Sequence, residues 1–139
     1  MEKYYNNTEN KQANKNVQYL INEINPSPST AIDIGCGAGR DTVFLLKNGW
    51  KVLAIDQNDV GERINKRLTE EEKHNFRFSR QQFETIELEQ ANLIVSNFSL
   101  SFCHKDKFSK LWNKIQNSIL PNRIFRWKFF RNKWWMECC

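Results

Sequence analysis

The chain has 139 residues, of which 40% are hydrophobic and 27% charged, and its formal net charge at pH 7 is +5. This length predicts a single domain with a core of ordinary size. We expect neither a membrane span, because no apolar run is long enough, nor a secretory leader after Met1. The four cysteines form no Cys-x-x-Cys pair, which predicts reduced thiols, a cytoplasmic location and no zinc site.

The positive charge is concentrated near the C-terminal end. Residues 121–139 hold five Lys or Arg and one Glu, whereas residues 1–120 hold 16 basic and 15 acidic residues. Three of the five tryptophans also lie in residues 121–139. This distribution argues against a nucleic-acid-binding face across the domain, although the basic and aromatic tail keeps that alternative open.

The first third of the chain predicts a helix followed by a strand–turn–helix–strand unit. Apolar residues spaced i, i+3, i+4 and i+7 within residues 11–24 predict an amphipathic helix, and Pro26–Ser29 ends it. A strand at residues 30–34 then precedes a glycine-rich turn, a helix at residues 40–48 and a second strand at 51–55, which ends in Asp56. This order is typical of a βαβ unit.

The remainder continues the alternation of strands and helices. Residues 59–62 resemble a capping box before a helix, residues 70–73 read as a solvated loop, and strands are predicted at 76–78 and 91–96. An amphipathic helix covers residues 108–119. The pattern predicts an α/β fold with a mostly parallel sheet, whose ligand site lies at the carboxyl ends of the strands, where Asp33, Asp56, Gln82 and Asn97 fall.

The glycine-rich turn excludes one common ligand class. Gly35, Gly37 and Gly39 alternate after the first strand, but Arg40 stands where the G-x-G-x-x-G pattern of dinucleotide sites has its third glycine. The carboxylate of Asp33 would repel a pyrophosphate, and it suits a ligand that carries an ammonium and a sulfonium group. A nicotinamide dehydrogenase is therefore disfavoured.

Residues 33–39, Asp-Ile-Gly-Cys-Gly-Ala-Gly, resemble the first motif of class I S-adenosylmethionine-dependent methyltransferases. Residues 93–102 are similar to small, tellurite-resistance-like members of that class. The resemblance covers about residues 1–122 and implies a Rossmann-like, doubly wound sheet and S-adenosylmethionine as cofactor. It also implies methyl transfer to a small-molecule acceptor.

The resemblance implies a role for individual residues. Asp33 would hold the amino group of the cofactor, Asp56 its ribose hydroxyls and Gln82 the adenine amino group, with Phe83 near the adenine ring. Asn97 would contact the methionine end or the substrate. For Gln82, Phe83 and Asn97, a plain role as loop residue, core residue or strand terminator is an equally open interpretation. The full set of predicted cofactor-binding residues is Asp33, Gly35, Cys36, Gly37, Gly39, Asp56, Gln57, Gln82, Phe83 and Asn97.

The tail departs from the family pattern. A fifth strand is expected after Pro121, but residues 123–139 alternate basic and aromatic residues. Codons read one nucleotide later give text that resembles the fifth strand of the family, so we interpret the tail as a frameshift near Arg123. The domain then covers residues 1–122, residues 123–139 form an atypical tail, and the sheet has about five strands and lacks the usual last ones.

No acid–base constellation identifies a catalytic residue, and methyl transfer does not demand one, because the sulfonium is already an activated donor. The first hypothesis is therefore a methyltransferase for a small molecule. The alternatives are a truncated product that binds S-adenosylmethionine without turnover, and a nucleic-acid-binding or RNA-methylating protein that uses the basic tail. The sequence identifies neither the acceptor nor the oligomeric state, and it predicts no metal site.

Overall fold

A computed structural model describes residues 1–97, 105–121, 127–129 and 135–137. Its main sheet has four parallel strands in the order β3-β2-β1-β4. In chain order they are β1 (Thr30–Ile34), β2 (Lys51–Asp56), β3 (Phe76–Arg80) and β4 (Leu93–Val95). The predicted Rossmann-like, mostly parallel α/β fold is confirmed.

Six α-helices are found in the described residues: α1 (Glu2–Thr8), α2 (Lys15–Tyr19), α3 (Arg40–Lys47), α4 (Gly61–Asn65), α5 (Glu70–His74) and α6 (Lys105–Ser118). A π-helical turn, Leu20–Ile24, continues α2, and a 3₁₀ turn, Phe83–Thr85, follows β3. None of the helices described is long and apolar enough to cross a bilayer.

The sheet separates two cores because successive strand residues point to opposite faces. Ala31 and Val52 pack with α2, α3 and α4 on one face, whereas Ile32, Leu53 and Ile94 pack with α6 on the other. Asp33 follows the alternation onto the face that carries α3. The fold thus buries a carboxylate at the end of a central strand.

The strand order creates a switch point next to β1. The chain passes from β1 to β2 and β3 on one side, and then crosses to β4 on the other side of β1. The ends of β1 and β4 therefore diverge into helices on different sides of the sheet and leave a crevice between them. Asp33 in β1 is in register with Val95 in β4, so both strands end at this crevice.

Three element predictions needed correction. The helix predicted from residue 11 begins at Lys15, because Asn14 is its N-cap. Residues 70–73 lie in α5 rather than in a loop, since Thr69 and Glu72 make a complete capping box. The capping box expected at residues 59–62 is not formed, because α4 begins at Gly61 without a side-chain cap.

The expected fifth strand falls partly outside the described residues. Strands β5 (Trp127–Phe129) and β6 (Trp135–Glu137) form a separate antiparallel pair, and β5 lies beside β4. The division of the chain at residue 122 stays a prediction, as does the frameshift.

Candidate functional site

The glycine-rich turn leaves β1 in a conformation that other residues rarely adopt. Gly35, Gly37 and Gly39 all have positive φ, at 71°, 55° and 83°. At Gly39 a Cβ atom would lie 2.5 Å from the Ile64 side chain of α4, so close packing also requires glycine there. The turn therefore folds tightly against α4 before α3 begins.

The main-chain N–H groups of this turn are largely used within the protein. The N–H groups of Gly35 and Cys36 both donate to the Ile55 carbonyl, at 2.7 and 3.1 Å. Gly37 N–H donates to Asp56 Oδ2 at 2.9 Å. The N–H groups of Gly35, Cys36 and Gly37 are thus not available to a phosphate.

A cavity opens at the switch point, between the ends of β1 and β4. Its empty volume, which includes space open to solvent, is about 360 Å³. The glycine-rich turn forms one wall, α1 and the N-cap of α2 form a second, and the start of α3 closes it. Its lining residues are Tyr4, Thr8, Asn14, Asp33, Gly35, Cys36, Gly37, Ala38, Arg40, Asp41 and Asn97.

Asp33 places a buried carboxyl group at this cavity. The residue is 3% exposed, and Thr42 in α3 donates a hydrogen bond of 2.7 Å to its Oδ2. Among the described residues no other group donates to this carboxyl group, so Oδ1 is left for a ligand. Burial, followed by the charges of Asp41 and Asp56, raises the pKa of Asp33 to about 8, although the Thr42 hydrogen bond lowers it.

Asp41, in the first turn of α3, is a second buried acid in the lining. Its Oδ1 accepts the Asn14 N–H at 2.7 Å, and its Oδ2 accepts from the amides of Asn14 at 2.7 Å and Asn97 at 2.9 Å. The Asn97 side-chain oxygen, Oδ1, in turn accepts from the Asn16 amide at 2.9 Å. This carboxylate therefore joins α2, α3 and the end of β4 around the mouth of the cavity.

Arg40 supplies the only cationic side chain among the described lining residues. Its Nη2 donates to Asn14 Oδ1 at 2.8 Å. The guanidinium thus shares Asn14 with Asp41, and both charges stand at the first turn of α3.

Asp56 anchors the turn from the neighbouring strand. Its Oδ2 accepts from Gly37 N–H and its Oδ1 from Asn58 N–H, both at 2.9 Å. The side chain is not part of the cavity lining. Each oxygen has accepted one hydrogen bond and has lone-pair capacity for another.

Helix α1 covers the turn from outside. Tyr5 is buried, and its hydroxyl accepts from the Asn58 amide at 2.9 Å. Arg67 donates to the carbonyls of Ala38 and Glu9 and so ties the turn to the end of α1. These contacts bring Tyr4 and Thr8 of α1 into the cavity wall.

The structure brings together half of the predicted site residues. Asp33, Gly35, Cys36, Gly37 and Asn97 line one cavity. Burial and the nearby acids Asp33 and Asp56 raise the pKa of the Cys36 thiol, so it remains protonated and acts as a small wall residue.

The other predicted residues lie outside this lining. Gly39 is the N-cap of α3, and Gln57 is exposed beyond β2. Gln82 is exposed at the start of the 3₁₀ turn, whereas Phe83 is 4% exposed and packs in the core that contains α6.

Sequence reasoning missed the polar wall formed by Asn14 and Asp41. These residues are 27 positions apart, and nothing in the sequence pairs them. The available signals were local: Asn14 is a good helix N-cap residue, and an acid in the first turn of a helix is common. Both patterns predict helix starts rather than a binding site. No group of His, Cys, Asp and Glu suited to a metal ion occurs in the parts of the chain that the structure describes.

A parallel sheet with a glycine-rich turn after β1 and a cavity at the switch point defines a Rossmann-like ligand-binding domain. Residues 1–123 match the model of the family described as Tellurite resistance protein TehB, and the chain belongs to this family. No curated protein matches the chain.

Solved structures share the fold. TehB from Haemophilus influenzae is 21% identical, with a TM-score of 0.71 over 91% of this chain and 44% of that one. A TehB-like SAM-dependent methyltransferase from Corynebacterium glutamicum is 20% identical, with a TM-score of 0.66 over 85% and 64%. The glycopeptide N-methyltransferase MtfA complexed with S-adenosyl-L-methionine is 15% identical, with a TM-score of 0.68 over 81% and 52%. The chain spans about half the length of these proteins.

Proposed function

We propose that this chain binds S-adenosylmethionine in the switch-point cavity and serves methyl transfer to a small-molecule acceptor. Membership of the TehB family supports the proposal. So does the likeness to structures whose descriptions name SAM-dependent methyltransferases. As part of the same proposal we assign the protein to the cytoplasm, in keeping with four cysteines that lack a paired spacing.

The observation that carries the proposal is the chemistry of the cavity wall. The carboxyl group of Asp33 presents an oxygen without a donor, while the N–H groups of Gly35, Cys36 and Gly37 already have acceptors. Such a wall attracts a cationic group, and the nearby acids Asp33 and Asp41 disfavour a diphosphate. S-Adenosylmethionine carries an ammonium and a sulfonium group at its methionine end.

The residues present fit this cofactor. Asp33 would hold the ammonium, Gly35 and Gly37 leave room for close approach, and Asn97 faces the same space from β4. Asp56 would offer the free lone pairs of its carboxylate to the ribose hydroxyls. The bound cofactor supplies a methyl group that is already activated, so the chain's own task is to bind it, orient it and exclude water.

Ligand-induced thermal stabilisation tests the proposal. The full chain is heated with S-adenosylmethionine, S-adenosylhomocysteine, NADH or ATP, each at about 100 times the expected dissociation constant. A specific ligand stabilises by about 2.7 kcal/mol under those conditions. We expect this for the two sulfur nucleosides and not for NADH or ATP; stabilisation by NADH alone would contradict the proposal.

A second candidate function is binding without turnover. Calorimetric titration alongside release of S-adenosylhomocysteine separates the two functions. Binding with no product over many hours, across a panel of small acceptors, would favour the second candidate.

A further inference from the structure

Helix α1 forms one wall of the cavity and lies over the glycine-rich turn. Tyr4 and Thr8 of this helix belong to the lining. The Tyr4 ring covers the middle of the turn, since a Cβ atom on Gly37 would lie 3.9 Å from it. A ligand that fills the cavity therefore contacts α1 as well as the turn.

The same helix also stands beside Asp56, which lies outside the cavity lining. The Tyr5 hydroxyl accepts from the Asn58 side-chain amide at 2.9 Å, and the Asn58 main-chain N–H donates to Asp56 Oδ1 at 2.9 Å. Helix α1 thus covers the path from Asp33 to Asp56, the two acids that the proposed function assigns to one ligand.

Two arginines hold α1 in this position, one at each end. Arg67, which follows α4, donates to the main-chain carbonyl of Glu9 at the C-terminal end of α1. Arg63 of α4 donates to the side chains of Glu9 at 2.6 Å, Asn6 at 3.1 Å and Glu2. Arg67 therefore fixes the end of α1 that leads to α2, whereas Arg63 fastens the N-terminal end.

The other attachments of α1 are few. Of its seven residues only Tyr5 and Thr8 are buried. Residues 10–12, which lead to α2, are exposed and belong to no helix or strand. Segments with few buried contacts open at a much lower free energy than the core of a protein does.

We propose that α1 is a lid on the cavity, hinged at residues 10–12 and fastened by Arg63, which opens to admit the cofactor and closes again over it. The identity of the ligand rests on the proposed function. Arg63 is not part of the cavity lining, so it controls the exchange of the ligand without contacting it. The closed lid also excludes water from the bound ligand.

A lid and a ligand contact have different kinetic signatures. A looser lid is open more often both with and without ligand, so the association and dissociation rate constants rise by a similar factor and Kd changes little. Loss of a direct contact instead raises mainly the dissociation rate constant and therefore raises Kd.

Surface plasmon resonance of the full chain with S-adenosylhomocysteine measures both rate constants for the parent and for Arg63→Gln. We expect both to rise by about threefold to tenfold, as for the loss of two partly exposed ion pairs, with Kd changed by less than about twofold. Lys66→Gln is the matched control, because Lys66 is an exposed cation at the C-cap of α4 and no hydrogen bond or ion pair joins its side chain to α1 in the residues described. A rise in the dissociation rate constant alone, no change in either constant, or an equal rise in Lys66→Gln would overturn the proposal.

Hydrogen exchange of the unliganded chain, followed by mass spectrometry at short labelling times, tests the lid without any ligand. Protection of residues 2–8 should fall in Arg63→Gln and stay at the parent level in Lys66→Gln. Glu2→Gln removes one of the same ion pairs at a side chain that is 76% exposed, so it should show a smaller fall and keeps the test valid if Arg63→Gln does not fold.

The two measurements separate the lid from the proposed function. Equal protection of α1 in the parent and in all variants would show that the lid is wrong, whatever the chain binds. If protection falls as expected but the parent binds neither S-adenosylmethionine nor S-adenosylhomocysteine, the proposed function is wrong and the cavity has a lid for a different ligand.

Discussion

Replacement of Asp33 by Asn is expected to stabilise the fold and to weaken cofactor binding at the same time. The carboxyl group is 3% exposed, and burial among other acids raises its pKa to about 8. In the unfolded chain the same group has the ordinary aspartate pKa of 3.8. Asparagine has a similar shape, and its carbonyl oxygen still accepts from Thr42.

The size of the effect follows from proton linkage. Between about pH 4 and pH 8 the unfolded chain releases the Asp33 proton while the folded chain keeps it. Because of this group, the free energy of unfolding of the parent falls by about 1.4 kcal/mol for each pH unit in this range. At pH 7 the loss approaches about 4 kcal/mol, which is an upper value for the gain from Asp33→Asn. Below pH 4 the gain vanishes, because both states are protonated, and above pH 8 it is constant.

Urea unfolding of the parent and of Asp33→Asn at pH 5.5, 7 and 8.5 measures this difference. Asp59→Asn is the matched control, since Asp59 is exposed and its replacement should change stability little at any of these pH values. A stabilisation by Asp33→Asn that grows from pH 5.5 to pH 8.5 is expected. A destabilised variant, or a gain independent of pH, would refute the argument that the folded state holds a protonated Asp33.

The same variant tests the site. Titration with S-adenosylmethionine at pH 7.5 should show at least a tenfold loss of affinity for Asp33→Asn and none for Asp59→Asn. A bound ammonium would hold Asp33 in its ionised form, and asparagine cannot supply that charge. Unchanged affinity in a stabilised variant would show that Asp33 is a buried acid without a ligand.

Two further predictions concern the surroundings of the turn. Gly39→Ala should lower the free energy of unfolding by about 2–4 kcal/mol, because the added Cβ atom overlaps Ile64 and the residue must also adopt a positive φ. Gly49→Ala is the control, since Gly49 also has a positive φ but a Cβ atom there meets no such overlap. It should lower the free energy of unfolding by only about 1–2 kcal/mol in the same urea titration. Thr42→Val removes the hydrogen bond that lowers the pKa of Asp33, so it should cost about 1–2 kcal/mol and move the pH dependence of stability upward. An unmoved pH profile in Thr42→Val would contradict the assigned contact.

The sequence predicted the elements whose cause is local. The turn at residues 35–39 and the strands on either side follow from glycine spacing and short apolar runs, and the structure has them within a residue or two. The acids at the ends of β1 and β2 were equally visible, since each ends a run. Helix α5 was missed because three consecutive glutamates suggested solvent, whereas Thr69 and Glu72 in fact form a capping box.

The part of the site that the sequence did not predict depends on contacts between distant segments. Asn97 was identified at the end of β4, but its partners Asn16 and Asp41 are 81 and 56 positions away. Phe83 remained open between adenine contact and core, and its place in the core depends on how the 3₁₀ turn packs against α6. Periodicity carries no information on either relation, because it reports which face of an element is buried and not which element covers it.

The acids of the site lower the stability of the folded protein. Burial of the Asp33 carboxyl group, and then the charge of Asp41, raise the pKa of Asp33, which lowers stability at neutral pH. Thr42 offsets only part of this, and Arg40 is engaged with Asn14. A ligand with an excess of positive charge would reverse the sign of the interaction, because each carboxylate then gains a partner in a medium of low dielectric constant. Pairing of Asp33 with a cationic ligand would therefore recover free energy that burial of its carboxyl group costs the fold.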